Sequence, residues 1–206
     1  LMVLSRIYLG VHFWQDALAG FLLGVVVLVG YFVWRANFRE EFRNRILGQR
    51  ILFAITLPLF IGLLYAGALF VLGEPAQVAW AEAAEEAESA SIEEVFTATG
   101  ILLGLGIGFI LEASRVHFTV QGPVWQRTLR YIVGIIGTVA IWRGLALVFP
   151  EDPLWLALPL RLLRYWLAGM WVAYYAPLLF VRIGLAQASA APDVSHSISS
   201  GGIMRE

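Results

Sequence analysis

Ala17-Leu18-Ala19-Gly20-Phe21-Leu22-Leu23-Gly24-Val25-Val26-Val27-Leu28-Val29-Gly30-Tyr31-Phe32-Val33-Trp34 carries no charge and is bounded by Asp16 and Arg35. A helix needs about 20 apolar residues to cross a bilayer core about 30 Å thick. No water is available there to satisfy backbone N–H and C=O groups, so a helix is the form such a run must take. The pattern recurs along the chain. Ile51 to Gly73 lies between Arg50 and Glu74, with Pro58 expected to kink it. Val95 to Leu111, Tyr131 to Phe149 (interrupted by Arg143) and Tyr165 to Val181 complete the set. The sequence therefore predicts an all-α fold, a polytopic membrane helical bundle of about five transmembrane helices.

Composition agrees. Of 206 residues, 60% are hydrophobic and 14% charged, against about 45–50% and about 25% in a soluble domain. Mean hydropathy is +0.77. These values exclude a disordered chain, a nucleic-acid-binding domain and a disulfide scaffold. With no cysteine there is no thiolate metal site. His12, His117 and His196 are too scattered to form another. No metal and no cofactor is expected. The opening Leu1-Met2-Val3-Leu4 is too short for a signal peptide and lacks a basic n-region. The sequence is expected to begin partway through a longer protein.

The connections alternate in charge. Arg35, Arg39, Arg43, Arg45 and Arg50 follow the first span, and Arg115, Arg127 and Arg130 follow the third. The positive-inside rule places both connections in the cytoplasm. Residues 1–16, the acidic segment 74–94 and the 150–164 connection then face outward, with Arg161 and Arg164 as exceptions. Residues 187–206 read as a disordered cytoplasmic tail, rich in Ser, Ala and Gly.

The chemistry concentrates in Ser5-Arg6-Ile7-Tyr8-Leu9-Gly10-Val11-His12-Phe13-Trp14-Gln15-Asp16. His12 and Asp16 are four apart, so on a helix they share a face. A carboxylate there accepts the proton of one imidazole nitrogen and leaves the other free as nucleophile or base. Arg6 offers a planar fork of donors suited to phosphate oxygens. Phosphoryl transfer through a phosphohistidine needs these three roles.

Ser5-Arg6, five residues, His12, three residues, Asp16 resembles the S-R-x5-H-x3-D signature of the type 2 phosphatidic acid phosphatase and vanadium haloperoxidase superfamily. Tyr8-Leu9-Gly10-Val11-His12 and Asp16-Ala17-Leu18-Ala19-Gly20 are similar to the surroundings of that family's third motif. The resemblance implies that His12 attacks phosphorus, Asp16 orients it, and Arg6 binds phosphate. Ser5 either supports the phosphate pocket or caps a helix. It also implies a phosphorylated lipid substrate and a site at the outer leaflet of the cell membrane, the side to which the arginine bias assigns His12. The family's other two motifs, K-x6-R-P and P-S-G-H, do not occur in these 206 residues, which hold no lysine and no histidine after Pro-Ser-Gly.

The expected organisation is residues 1–34 as the C-terminal part of a phosphatase core, 35–186 as further transmembrane helices, and 187–206 as the tail. The later spans resemble a membrane extension found on some bacterial relatives. The expected function is a metal-independent lipid phosphate phosphatase. The alternative is a non-catalytic membrane module that binds or transports phospholipid. Membrane lipids are the expected surroundings, and no nucleic-acid partner is expected.

Other residues have plainer readings. Gly100, Gly104 and Gly108 form a small-xxx-small stripe, suited to packing within the bundle or to a homodimer seam. Ala79 to Glu88 reads as a surface helix anchored by Trp80. Glu112 is expected to pair with Arg115, beside His117. Arg143 calls for a partner such as Glu112, Glu151 or Asp152, snorkels outward, or serves a ligand or phosphate. Arg161 and Arg164 anchor the fifth span at the interface, or meet lipid phosphates.

Overall fold

A computed structural model describes residues 14–72, 81–150 and 152–189. Most of their backbone is helical, with one isolated bridge between Phe118 and Ala188. Among the described residues four helices are long and apolar enough to cross a membrane. The chain divides into two units, residues 1–46 and 47–206.

In the first unit, α1 (Trp14–Asn37) runs for 24 residues, about 36 Å at 1.5 Å per residue. Its apolar residues are exposed on every side, Phe21 by 67% and Val26 by 66%. A helix that is hydrophobic all round belongs in a core or a membrane. The Asn37 side chain donates to the Val33 carbonyl at 2.8 Å and helps end the helix. The short α2 (Arg39–Asn44) follows, its Phe42 ring edge-on to Trp34 at 5.5 Å. Exposed pairs Glu40–Arg43 and Glu41–Arg45 lie along it and contribute little to stability.

The second unit is organised around α4 (Ala81–Arg115), which packs against α3 (Leu47–Leu72) and most extensively against α6 (Leu154–Met170). α5 (Val124–Val148) packs more lightly on α6. Helices in lipid gain little from burying apolar surface against one another, so close approach of small residues does the work. Gly100 and Gly104 press on the backbone of α6, and Gly169 answers from the other side against Ile101 and Leu105. Gly106 turns to Ala54 of α3, and Gly108 meets Ala173. Small residues, Ala54, Ala168, Ala173 and Ala176, are among those buried. Large apolar side chains such as Leu147 and Tyr131 face outward. The glycine stripe is thus covered within the chain.

Several expectations change. The acidic stretch is not a separate surface helix. From Ala81 it continues without a break into the third span as one 35-residue helix, about 52 Å long and so longer than the bilayer core. Its alanines and glutamates are strong helix formers, and nothing interrupts them. Trp80, its expected anchor, lies outside the described residues. The second span runs through Pro58, which is buried within α3.

The fifth span is not one α-helix. After α6 a π-helical turn, Trp171–Tyr175, leads into α7 (Ala176–Arg182). This widened turn stands just before Pro177, which has no N–H to continue the ladder. Trp171 is held there by its indole N–H, which donates to the Gly134 carbonyl at 3.1 Å, its ring lying over Gly137.

The onset of the tail also differs. Past the end of α7 the chain turns at Gly184, φ 75°. The N–H of Leu185 reaches the Phe180 carbonyl at 2.9 Å, and that of Gly184 reaches Val181 at 3.2 Å. This pair closes a helix end with a left-handed residue and a hydrophobic contact, here Leu185 against Phe180. Gln187 to Ser189, expected to begin a disordered tail, instead pair with 117–119. The Thr119 N–H donates to the Gln187 carbonyl at 3.0 Å, and that of Ser189 to His117 at 2.7 Å. The expected tail beyond them lies outside the described residues.

Candidate functional site

Ser5, Arg6 and His12 lie outside the described residues. Asp16 lies within α1, whose described residues begin at Trp14.

Within the second unit the charged side chains take three different roles. Arg130 is the most deeply placed, 5% exposed. Its Nε donates to Gln126 O at 3.2 Å, and its terminal nitrogens reach Thr119 O at 3.1 Å, Val120 O at 3.1 Å and Gln121 O at 3.2 Å. The guanidinium also lies 5.5 Å from the Phe118 ring centre. One side chain thus satisfies three successive carbonyls of the connection between α4 and α5, which no regular structure would pair. The connection leaves α4 through His117 in a left-handed conformation, φ 52°, and turns again at Gly122, φ 141°. The Glu112 carboxylate accepts the Phe118 N–H at 2.7 Å. It serves this turn and not the expected pair with Arg115.

Arg130 was legible only as one more basic residue after the third span. Its partners are backbone carbonyls, which leave no side-chain signature. Replacing it with methionine keeps bulk and removes every donor. Orphaned buried carbonyls cost about 1–3 kcal/mol each, so Arg130→Met is expected to destabilise the second unit by on the order of 3 kcal/mol. Thermal unfolding in detergent measures the loss, and an unchanged midpoint contradicts this role.

Arg143 is exposed on α5 and pairs with neither Glu112 nor Asp152. Glu151 lies outside the described residues. The expected anchors of the fifth span behave differently. Arg161 makes an ion pair with Glu93 of α4, and Arg164 lies with its guanidinium carbon 5.0 Å from the centre of the Tyr165 ring. Together with the end of α5 these residues border a cleft of about 200 Å³.

Two family models match this chain in tandem. The PAP2 superfamily model matches residues 1–40, and the model described as the transmembrane extension of PAP2 superfamily phosphatases matches residues 96–188. The chain belongs to the PAP2 phosphatase superfamily. No curated protein and no solved structure matches it. The PAP2 match spans Ser5, Arg6, His12 and Asp16 together with α1. The extension match begins inside α4, takes in the glycine stripe and the Arg130 turn, and ends at Ala188. Ala188 is the residue bridged to Phe118. The matched segment therefore closes on itself, its last residue returning to the turn that Arg130 holds. A multi-pass membrane protein follows from these matches and the four apolar helices among the described residues.

Proposed function

We propose that this protein is a lipid phosphate phosphatase of the cell membrane, cleaving a phosphomonoester or pyrophosphate through a phosphohistidine. The observation that carries the reading is S-R-x5-H-x3-D spacing at Ser5, Arg6, His12 and Asp16, inside a segment matched by the PAP2 superfamily. Residues 1–34 carry the chemistry and 35–186 supply further membrane helices.

In this mechanism the free imidazole nitrogen of His12 attacks phosphorus in line. The bond from phosphorus to the lipid oxygen breaks, and that oxygen takes up a proton as the dephosphorylated lipid leaves. Water then attacks the phosphohistidine, freeing inorganic phosphate and restoring His12. Asp16 holds the other ring nitrogen and stabilises the positive charge that the ring acquires. Arg6 neutralises charge on the equatorial oxygens, which is the main demand of phosphoryl transfer. By the positive-inside rule the site faces outward, and a lipid headgroup reaches it from the outer leaflet.

The test is phosphate release from phosphatidic acid by the purified protein in detergent, with vanadate added. Vanadate takes a five-coordinate form resembling the transition state, so it is expected to inhibit at concentrations well below those of substrate. Turnover that ignores vanadate counts against the phosphohistidine route.

The second reading is a non-catalytic module that binds or transports phospholipid. K-x6-R-P and P-S-G-H do not occur in these 206 residues, and by the resemblance those two motifs together supply further phosphate contacts and the general acid. The coding sequence upstream of Leu1 decides between the two. A continuous frame bearing both motifs supports hydrolysis, and a stop codon supports the binding module.

A further inference from the structure

We propose that the cleft between α4, the end of α5 and α6 is a second anion site, which binds the phosphate group of a membrane lipid. Glu93, Phe149, Pro150, Leu158, Arg161 and Arg164 line it, around about 200 Å³. That space suits a phosphate-sized group and is small for a whole ligand of ordinary size.

Charge is the first argument. Among the described lining residues two guanidinium groups face one carboxylate, and that carboxylate is already engaged by Arg161. Arg164 has only the Tyr165 ring for company and makes no ion pair or hydrogen bond among the described residues. A positive charge is therefore left over, carried by planar groups whose donors match phosphate oxygens.

Desolvation is the second argument. The Nε–H groups of both Arg161 and Arg164 are sealed from solvent with no acceptor among the described residues. Buried donors in folded proteins are almost always paired, and those on charged groups are the costliest to leave open. The same two arginines that supply the surplus charge thus have unspent donors. Arg161 and Arg164 stand three apart on one helix, on neighbouring positions of the same face. Phe149, Pro150 and Leu158 give the cleft an apolar wall that strengthens an ionic contact.

Position is the third argument and selects a lipid. The cleft lies where α5 ends and α6 begins. Leu147, Val148 and Trp155 nearby are exposed by 79%, 75% and 75%. An exposed apolar rim beside an arginine cleft at a helix end offers acyl chains and a headgroup their own surroundings.

Calorimetry on the full chain in dodecyl maltoside tests the site, with Arg6→Ala and His12→Ala present so that the proposed catalytic site adds no heat. The probes are dihexanoyl phosphatidic acid, dihexanoylglycerol and inorganic phosphate. Phosphatidic acid is expected to bind and the phosphate-free lipid is not. Arg164→Gln is expected to weaken binding at least tenfold. Glu93→Gln frees Arg161 and is expected to strengthen it severalfold, a gain that misfolding cannot imitate. Inorganic phosphate that binds alone, with the same response to both variants, assigns the site to the free anion. Phosphatidic acid that binds with or without it assigns a lipid headgroup. The proposal is overturned if neither phosphate probe binds, if dihexanoylglycerol binds equally, or if the two variants fail to move affinity in opposite directions. Loss of catalysis by His12 variants leaves this outcome untouched.

Discussion

His12→Ala is expected to abolish phosphate release while leaving lipid binding nearly intact. In the proposed mechanism the imidazole forms the covalent bond to phosphorus, and an alanine offers no atom in its place. Removing a nucleophile that acts with an orienting partner lowers turnover by on the order of 10⁴-fold or more. Asp16→Asn is expected to be almost as severe, because the amide favours the wrong tautomer of the ring, a fault worth about 10⁴-fold in a comparable pair. The two losses are not expected to add, since both residues serve one attack. Arg6→Ala differs in kind. It removes a contact made to phosphate before and during transfer, so KM rises as kcat falls. The measurement is steady-state phosphate release for each variant, alongside retention of substrate on the same protein. A His12→Ala protein that still turns over removes the phosphohistidine from the mechanism.

Gly104→Ala is expected to destabilise the second unit by on the order of 3 kcal/mol, the upper range of overpacking in a tight core. A Cβ at Gly104 would fall on the carbonyl oxygen of Trp166, with Met170 N at 2.9 Å and Gly169 Cα at 3.0 Å. All three are backbone atoms of α6, so no rotamer change relieves the clash and the helices must part. Separation then costs the neighbouring approaches at Gly100 and Gly169. Gly144→Ala is the control. Nothing lies within 4 Å of a Cβ there, and alanine is the better helix former by up to about 1 kcal/mol. It is expected to leave stability unchanged or raise it. Thermal unfolding of both variants in one detergent makes the comparison. Equal midpoints contradict the close contact of α4 with α6.

The membrane helices were legible because lipid imposes its demand on composition. Charge-free runs at 17–34, 51–73 and 95–111, and the run at 131–149 broken only by Arg143, each lie within or largely within a helix long enough to span. The glycines at 100, 104 and 108 announced a close approach in the same way. The candidate site rests on sequence spacing, because arginine, imidazole and carboxylate together supply the roles that phosphoryl transfer needs. Of its residues, the structure describes the backbone of Asp16, within α1. The Glu93–Arg161 pair was not legible. Its members stand 68 residues apart, and each read as an interfacial charge with nearer company.

Alternation of charge and apolar length set the class of fold, because a helix crossing lipid answers to its own residues alone. Which helices touch answers to no local rule. Gly104 reads the same whether it faces α6, α3 or a second chain, and only the assembled bundle presses it on Trp166. The same holds where polar groups meet backbone. Arg130 binds three carbonyls, and Gln187 to Ser189 pair with 117–119, through atoms that every residue carries. A sequence distinguishes side chains but not main chains, so contacts made by the main chain are decided in three dimensions.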